Sequence, residues 1–130
     1  MLIHLLSVVT LIVCLANAVQ SEASGEPAPD MQGCDAAETT LAMRACASTR
    51  YANAEKQLNA VYRELDRSLD LVRKVKLHVA QRAWLRFREA NARFQADSAR
   101  GGTLAPLLEV ATLVEMTQAR TAELRKVMQR

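Results

Sequence analysis

The sequence predicts an all-α protein built as an antiparallel bundle of three long helices. No glycine or proline interrupts the chain between Cys34 and Gly101, so few signals that end a helix occur there. Apolar residues recur in this stretch at spacings of three and four, without the alternation typical of a strand. Long helices joined by short links pack as antiparallel neighbours, and 130 residues are enough for one such domain.

Residues 1–18 are predicted to be a secretory signal peptide. The apolar run LLSVVTLIVCLA has the length of a signal rather than of a membrane span, and Ala16-Asn17-Ala18 is a small-x-small cleavage site. The alternative is lipidation of Cys14, but Val13 stands where such sites require a small residue. We therefore expect an exported protein, periplasmic or secreted, with no stable membrane span after cleavage.

Residues 19–33 are predicted to be a disordered linker, because they are rich in Ser, Gly, Pro and acids and cannot form a core. The folded domain is assigned to residues 34–130. Cys14 leaves with the signal, so Cys34 and Cys46 remain as a natural pair in an oxidising compartment. A straight helix would hold them about 18 Å apart. A disulfide needs Cα atoms within about 7 Å. If the two cysteines pair, residues 34–39 must therefore fold back along the first helical turns, as a disulfide-tethered N-terminal segment.

The first helix is expected to begin at an N-cap formed by Thr39 or Thr40 and to continue to a break between Leu69 and Lys74. Its apolar stripe repeats at three and four residues, and Leu58 and Tyr62 of this stripe are predicted to be core. Glu55 is the one carboxylate on it. The stripe comprises Tyr51, Glu55, Leu58, Tyr62, Leu65, Leu69 and Val72.

The second helix is predicted to run roughly from Val75 to Ala99 and to end at Gly101-Gly102, since glycine adopts the left-handed conformation at low cost. Two adjacent stripes suggest one broad buried face, with Trp84 and Phe87 in the core. The stripes are Leu77, Gln81, Trp84, Arg88 and Ala92, and Ala80, Ala83, Phe87, Ala90 and Phe94. The third helix is expected from about Leu104 to Val127, with Pro106 in its first turn.

Polar residues on the buried stripes are the candidate site. A buried Gln or Arg needs hydrogen-bond partners, and the planar guanidinium of Arg suits a carboxylate. The middles of antiparallel helices lie side by side, so these groups can share one level and form either a structural polar layer or a binding groove. The candidates are Glu55, Asn59, Gln81, Arg88, Thr117 and Arg120.

Charge and composition narrow the function classes. The formal net charge is +3 and the pI is near 9.0, which favours an anionic partner such as an envelope polymer or lipid headgroups. No nucleic-acid-binding motif is present. No His/Cys cluster has metal-ligand spacing, and no nucleophile–base set or phosphate loop is visible. We therefore expect a protein that is not an enzyme and has no cofactor, metal site or nucleic-acid partner.

The order of motifs resembles the LprI-like lysozyme inhibitor family, which comprises small exported helical domains of bacteria. A cysteine pair is followed by AEKQLNAVY, AQRAWLRFRE, GGT and MTQARTAEL, and the resemblance covers Cys34 to Leu124. It implies signature positions at Leu58, Asn59, Tyr62, Gln81, Trp84, Arg88, Gly102, Thr117 and Arg120.

The chain departs from the family pattern at two places. Glu55 replaces an Asp and keeps the carboxylate, whereas Ala92 and Thr112 stand where members often carry two further cysteines. Loss of both fits the absence of one whole disulfide. The resemblance implies an inhibitor of lysozyme or a related cell-wall hydrolase, and the alternative is a periplasmic structural or interaction module with an anionic partner.

The cysteine count leads to a first prediction. Cys34 and Cys46 should be bonded to each other in the exported monomer, and replacing either one should lower stability by about 2–4 kcal/mol. Mass analysis under non-reducing conditions checks this. Free thiols, or a dimer linked through these cysteines, would contradict it.

Overall fold

A computed structural model describes residues 37–130, and this part of the chain is all-α, with three long helices and no strand. The helices are α1 (Thr40–Ser68), α2 (Leu71–Ala96) and α3 (Ala105–Met128), and a short 3-10 helix (Asp97–Ala99) follows α2. The predicted helical class is confirmed.

The predicted signal peptide, linker and Cys34 lie outside the described residues. The Cys34–Cys46 disulfide and the tethered segment therefore stay predictions. Cys46 itself lies on α1 and is partly buried. No helix within residues 37–130 has both the length and the apolar character needed to cross a membrane.

Helix ends follow from local hydrogen bonding. The Ala42 amide donates to Thr39 Oγ1 at 3.1 Å, so Thr39 is the N-cap of α1. Asp70 caps α2 in the same way, accepting from the Arg73 amide at 3.0 Å. This cap starts α2 at Leu71, four residues before the predicted Val75. Beyond α2, Gly101 has a φ of 80°, the left-handed conformation expected of a glycine after a helix.

Side-chain pairs show the directions of the helices. Asp66 and Glu55 of α1 bond His78 and Arg88 of α2, so residue numbers rise on one helix as they fall on the other. Gln81, Arg88 and Asn91 of α2 bond Arg120, Thr117 and Met116 of α3 in that order, so α2 is antiparallel to α3 as well. α1 and α3 consequently run parallel, and α3 packs against both of the other helices.

The core lies between α1 and α3. Leu58, Val61 and Leu65 of α1 form an apolar cluster with Leu124 of α3. Tyr62, Leu77 and Trp84 are partly buried and pack against this cluster. Because α2 contributes Gln81, Arg88 and two alanines to the buried set, its inner face is held by small and polar residues rather than by large apolar ones.

The prediction that Phe87 is a core residue is wrong. Its side chain is 59% exposed, and that of Phe94, on the same stripe, is 74% exposed. In a three-helix bundle each helix meets its neighbours along one limited arc. The stripe containing Gln81 and Arg88 occupies that arc on α2, and the stripe containing Phe87 and Phe94 is left on the outside.

The core makes a stability prediction. Leu58 is 1% exposed, so Leu58→Ala should cost about 2–5 kcal/mol through lost burial and a residual cavity. Leu71, which is 78% exposed, supplies the control: Leu71→Ala should leave the unfolding midpoint almost unchanged. Urea unfolding followed by circular dichroism measures both, and equal midpoint shifts would contradict the assigned core.

Candidate functional site

Arg88 is the centre of the polar layer that joins the three helices. Its guanidinium is 4% exposed, and Nη1 donates both to Glu55 Oε1 on α1 and to Thr117 Oγ1 on α3, the latter at 3.0 Å. Nε and Nη2 donate to Glu89 Oε1 at 3.3 and 2.8 Å. One side chain therefore connects all three helices, because its planar group has enough donors for three partners.

Burial and hydrogen bonding act in opposite directions on Arg88. Burial by itself lowers the pKa of the guanidinium, but the hydrogen bonds to Glu55 and Glu89 outweigh it and raise the pKa above its ordinary value. The side chains of Glu55 and Glu89 are 35% and 40% exposed. The buried cation is thus held by anions that water can still reach, which reduces the cost of desolvating the pair.

Aromatic rings enclose the same guanidinium. Arg88 Cζ lies 5.1 Å from the Trp84 ring centroid and 5.4 Å from that of Tyr51. Arg120 Cζ lies 5.8 Å from the Trp84 ring as well. Burial raises the pKa of the Tyr51 hydroxyl, and the charge of Arg88 opposes this rise. Two cations therefore lie within the distance of the Trp84 ring at which cation–π attraction operates.

Gln81 and Arg120 form a second polar contact, between α2 and α3. Arg120 Nε donates to Gln81 Oε1 at 3.2 Å, and Arg120 Nη1 donates to Glu123 Oε2 at 2.9 Å. Gln81 is buried, and this bond satisfies its carbonyl oxygen. Arg120 thus bonds Gln81, while Glu55 receives its hydrogen bond from Arg88.

A groove of about 370 Å³ opens between α1 and α2, and several of the predicted site residues line it. Its polar wall includes Glu55, Asn59 and Gln81, and its floor includes Leu58. At one end His78 Nε2 donates to Asp66 Oδ1 at 2.6 Å, which links the two helices there. The groove is lined by Glu55, Leu58, Asn59, Tyr62, His78, Gln81, Arg82 and Leu85.

Asn59 differs from the other predicted site residues. It is exposed, and its side chain makes no hydrogen bond to any other residue of the described part of the chain. Arg88, Thr117, Gln81 and Arg120 all bond across helices instead. The structure thus separates the candidates into a buried connecting set and a groove lining that faces solvent.

A larger groove, about 490 Å³, lies between the first halves of α1 and α3, but it contains none of the predicted site residues. Met43, Ala47 and Leu107 make its lining mainly apolar. The Arg50 Nε atom is buried without a hydrogen-bond partner there. Volume alone would favour this groove as the functional site, but the predicted polar site residues line the smaller α1/α2 groove.

Two contacts escaped sequence reasoning. Glu89 follows Arg88 directly, and neighbouring helical residues normally point in different directions. The long Arg88 side chain nevertheless reaches it. The Asp66–His78 contact joins residues on either side of the α1–α2 link, and their unequal distances from that link gave no signal for the pairing. Within residues 37–130, no group of three or more His, Cys, Asp or Glu residues could hold a metal ion.

The Arg88 contacts make a second stability prediction. Arg88→Ala should cost about 2–5 kcal/mol, because it leaves a cavity between the helices and removes the hydrogen bonds to Glu55 and Thr117. Glu55→Ala should cost less, about 1–3 kcal/mol, since Glu89 still pairs with Arg88. The double variant should lose less than the sum of the single variants.

Chemical denaturation of the four proteins in this cycle provides the measurement. Arg100→Ala is the matched control, because Arg100 pairs with Asp97 on an exposed surface and should leave the midpoint unchanged. Additive losses from Arg88→Ala and Glu55→Ala would contradict the coupling.

Comparison with known proteins places the chain. Residues 31–124 match the family described as Lysozyme inhibitor LprI. An uncharacterized protein of Rhizobium meliloti (strain 1021) is 29% identical over 133 residues, an alignment that covers 92% of this chain and 91% of that protein. No solved structure matches the chain. The family match extends through all three helices as far as Leu124, and the chain therefore belongs to the lysozyme inhibitor LprI family.

Proposed function

We propose that this chain is an exported binding protein that inhibits lysozyme or a related cell-wall hydrolase, with the α1/α2 groove as its contact surface. Membership of the LprI family supports the partner class. The observation that favours the groove is Asn59, a signature position of the family resemblance that bonds no other described side chain. A polar residue without a structural partner is available to bind another molecule.

The rigidity of the groove supports the same assignment. Gln81 is held by Arg120, and Glu55 is held by Arg88, so two lining residues have fixed positions before any partner arrives. Residues fixed in advance lose little conformational entropy on binding. Asn59 and Tyr62 line the same groove from α1 and supply further polar groups.

The charge of the groove fits the active site of a glycosidase. Enzymes that hydrolyse glycosidic bonds use a pair of carboxylic acids on either side of the scissile bond. Arg82 lines the groove and is exposed, so its cation is free to approach such carboxylates. The proposed contact pairs one cation of the groove with the carboxylates of the enzyme's active site. It therefore does not require the inhibitor to carry a net negative charge.

The groove lining favours binding over catalysis. It contains no serine, threonine or cysteine that His78 could activate, and the Nε2 atom of His78 is already bonded to Asp66. A serine, threonine or cysteine nucleophile activated by an adjacent base, the commonest arrangement for acyl transfer, is therefore not formed by these lining residues. We therefore propose a non-enzymatic role.

A second candidate is a periplasmic interaction module with an anionic partner. The distribution of charge favours it, because α2 carries seven lysines and arginines against one glutamate, a formal charge of +6. The whole chain carries +3, so the excess is concentrated on this helix. A basic lysozyme would be repelled by α2, which confines the inhibitor proposal to surfaces other than the outside of that helix.

Titration of the exported protein against a c-type lysozyme, at low and moderate salt, tests the inhibitor proposal. Inhibition is expected at micromolar concentrations. Asn59→Ala should weaken it by up to about tenfold, the effect of one lost hydrogen bond, without changing stability. Asn53→Ala is the matched control, since it makes the same chemical change on α1 outside the groove.

Three results decide between the candidates. Absence of inhibition by the parent protein would exclude direct inhibition of this lysozyme. Inhibition that Asn59→Ala and Asn53→Ala weaken equally would place the contact outside the groove. A parent that retains anionic cell-wall fragments without inhibiting the enzyme would favour the interaction module.

A further inference from the structure

The outer face of α2 is a continuous apolar stripe that no other part of the described chain covers. We call it the outer stripe. Its large members are all more than half exposed, and the stripe extends about 33 Å along the helix. It consists of Val72, Val75, Val79, Ala83, Phe87, Ala90 and Phe94. A single exposed apolar residue is ordinary, but a stripe of this length on one helix marks an interaction surface.

Cations border the outer stripe. Lys76, Arg82, Arg86 and Arg93 lie within or beside it in the helical projection, and all are exposed. None of them forms an ion pair with another residue of the described part of the chain. The one acid of α2, Glu89, is bonded to the buried Arg88, so it does not neutralise this surface.

We infer that the outer stripe binds an anionic lipid surface, with α2 lying parallel to it. An amphipathic helix binds a membrane interface by burying its apolar residues at the headgroup boundary while Lys and Arg contact anionic headgroups. Phe87 and Phe94 are two turns apart and supply the largest apolar side chains on this side. Val72, Val75 and Val79 continue the contact toward the start of the helix.

A second copy of the chain fits this surface less well. Antiparallel pairing of two outer stripes brings Arg82 and Arg86 of one copy beside the same residues of the other. Like charges at such an interface cost free energy, and no acid on the outer stripe offsets them. Parallel pairing places each cation beside the same residue of the other copy, so it also brings like charges together.

An acidic protein groove is the other possible occupant, but the shape of the surface favours lipid. The outer stripe lies on the rounded outer surface of a helix, and none of its residues lines any of the described grooves. A planar anionic lipid surface can contact the apolar side chains of the outer stripe and the cations beside them, and it needs no cavity that matches the helix.

The apolar side chains of the outer stripe and the α1/α2 groove lie on different sides of α2, and Arg82, which lines the groove, stands at the border between them. Gln81 and Leu85 line the groove together with residues of α1, and in the helical projection they lie more than a third of a turn from the centre of the outer stripe. A protein held on the membrane through the outer stripe would still present the α1 side of its groove, and Arg82 is the one residue that both surfaces share. This inference does not depend on the proposed inhibition, and either one can fail alone.

Co-sedimentation of the exported protein with lipid vesicles tests the inference. It should bind vesicles that contain phosphatidylglycerol, fail to bind pure phosphatidylcholine vesicles, and bind less as salt rises. Phe94→Ser should reduce the vesicle-bound fraction strongly. Arg86→Gln should weaken binding by roughly fivefold, the contribution of one basic residue near an anionic membrane.

Matched controls test whether the loss of any exposed apolar side chain, or of any cation, weakens vesicle binding. Leu41 on α1 is 76% exposed, close to the 74% of Phe94, so Leu41→Ser should bind as the parent does. Arg125→Gln removes an exposed cation from the end of α3 and should also bind normally. All four substitutions change exposed side chains, and circular dichroism should show unchanged folding.

Several results would overturn the inference. One is a parent that ignores phosphatidylglycerol vesicles, and another is binding that Leu41→Ser weakens as much as Phe94→Ser. A dimer that Phe94→Ser abolishes, without vesicle binding, would assign the outer stripe to a second copy. Binding to polyglutamate but not to vesicles would assign it to an acidic protein.

Discussion

The described fold depends on one buried guanidinium. Arg88 contacts α1 through Glu55 and α3 through Thr117, so it sets the position of α2 relative to both helices. Few large apolar residues of α2 point inward, and directional hydrogen bonds therefore fix its rotation about its own axis. An apolar face can slide or rotate with little change in buried area, whereas a forked set of donors has one good arrangement.

That rotation has a consequence on the opposite side of the helix. Once Gln81, Trp84 and Arg88 face the bundle, Phe87 and Phe94 must face away from it. The polar layer thus determines which apolar residues remain exposed, and it also shapes the α1/α2 groove by holding Glu55 and Gln81 in place. One set of contacts connects the stability of the bundle to both of the surfaces available for binding.

The charge of α2 explains why an inhibitor role and a basic composition need not conflict. Most of the positive charge lies on one helix, and the groove beside it is lined by Glu55, Asn59 and Gln81 as well as by Arg82. We propose the groove for a partner with a carboxylate-lined cleft and the outer stripe for an anionic lipid surface. The net charge of the chain is a sum over the groove and the outer stripe, so it does not describe the local charge of either surface.

The sequence by itself determined the helices, because capping and period are local properties. Thr39 caps α1, Gly101 follows α2, and apolar spacings of three and four predicted three helices. Asp70 is a cap that the sequence analysis overlooked, and it would have placed the start of α2 correctly. Tertiary structure alone decided which stripe of α2 is buried. The stripes of Gln81 and of Phe87 are adjacent, and transfer free energy favours burying the phenylalanine. The inward stripe was chosen by partners on other helices, Glu55 and Thr117, and such contacts between distant residues leave no local signal in the chain.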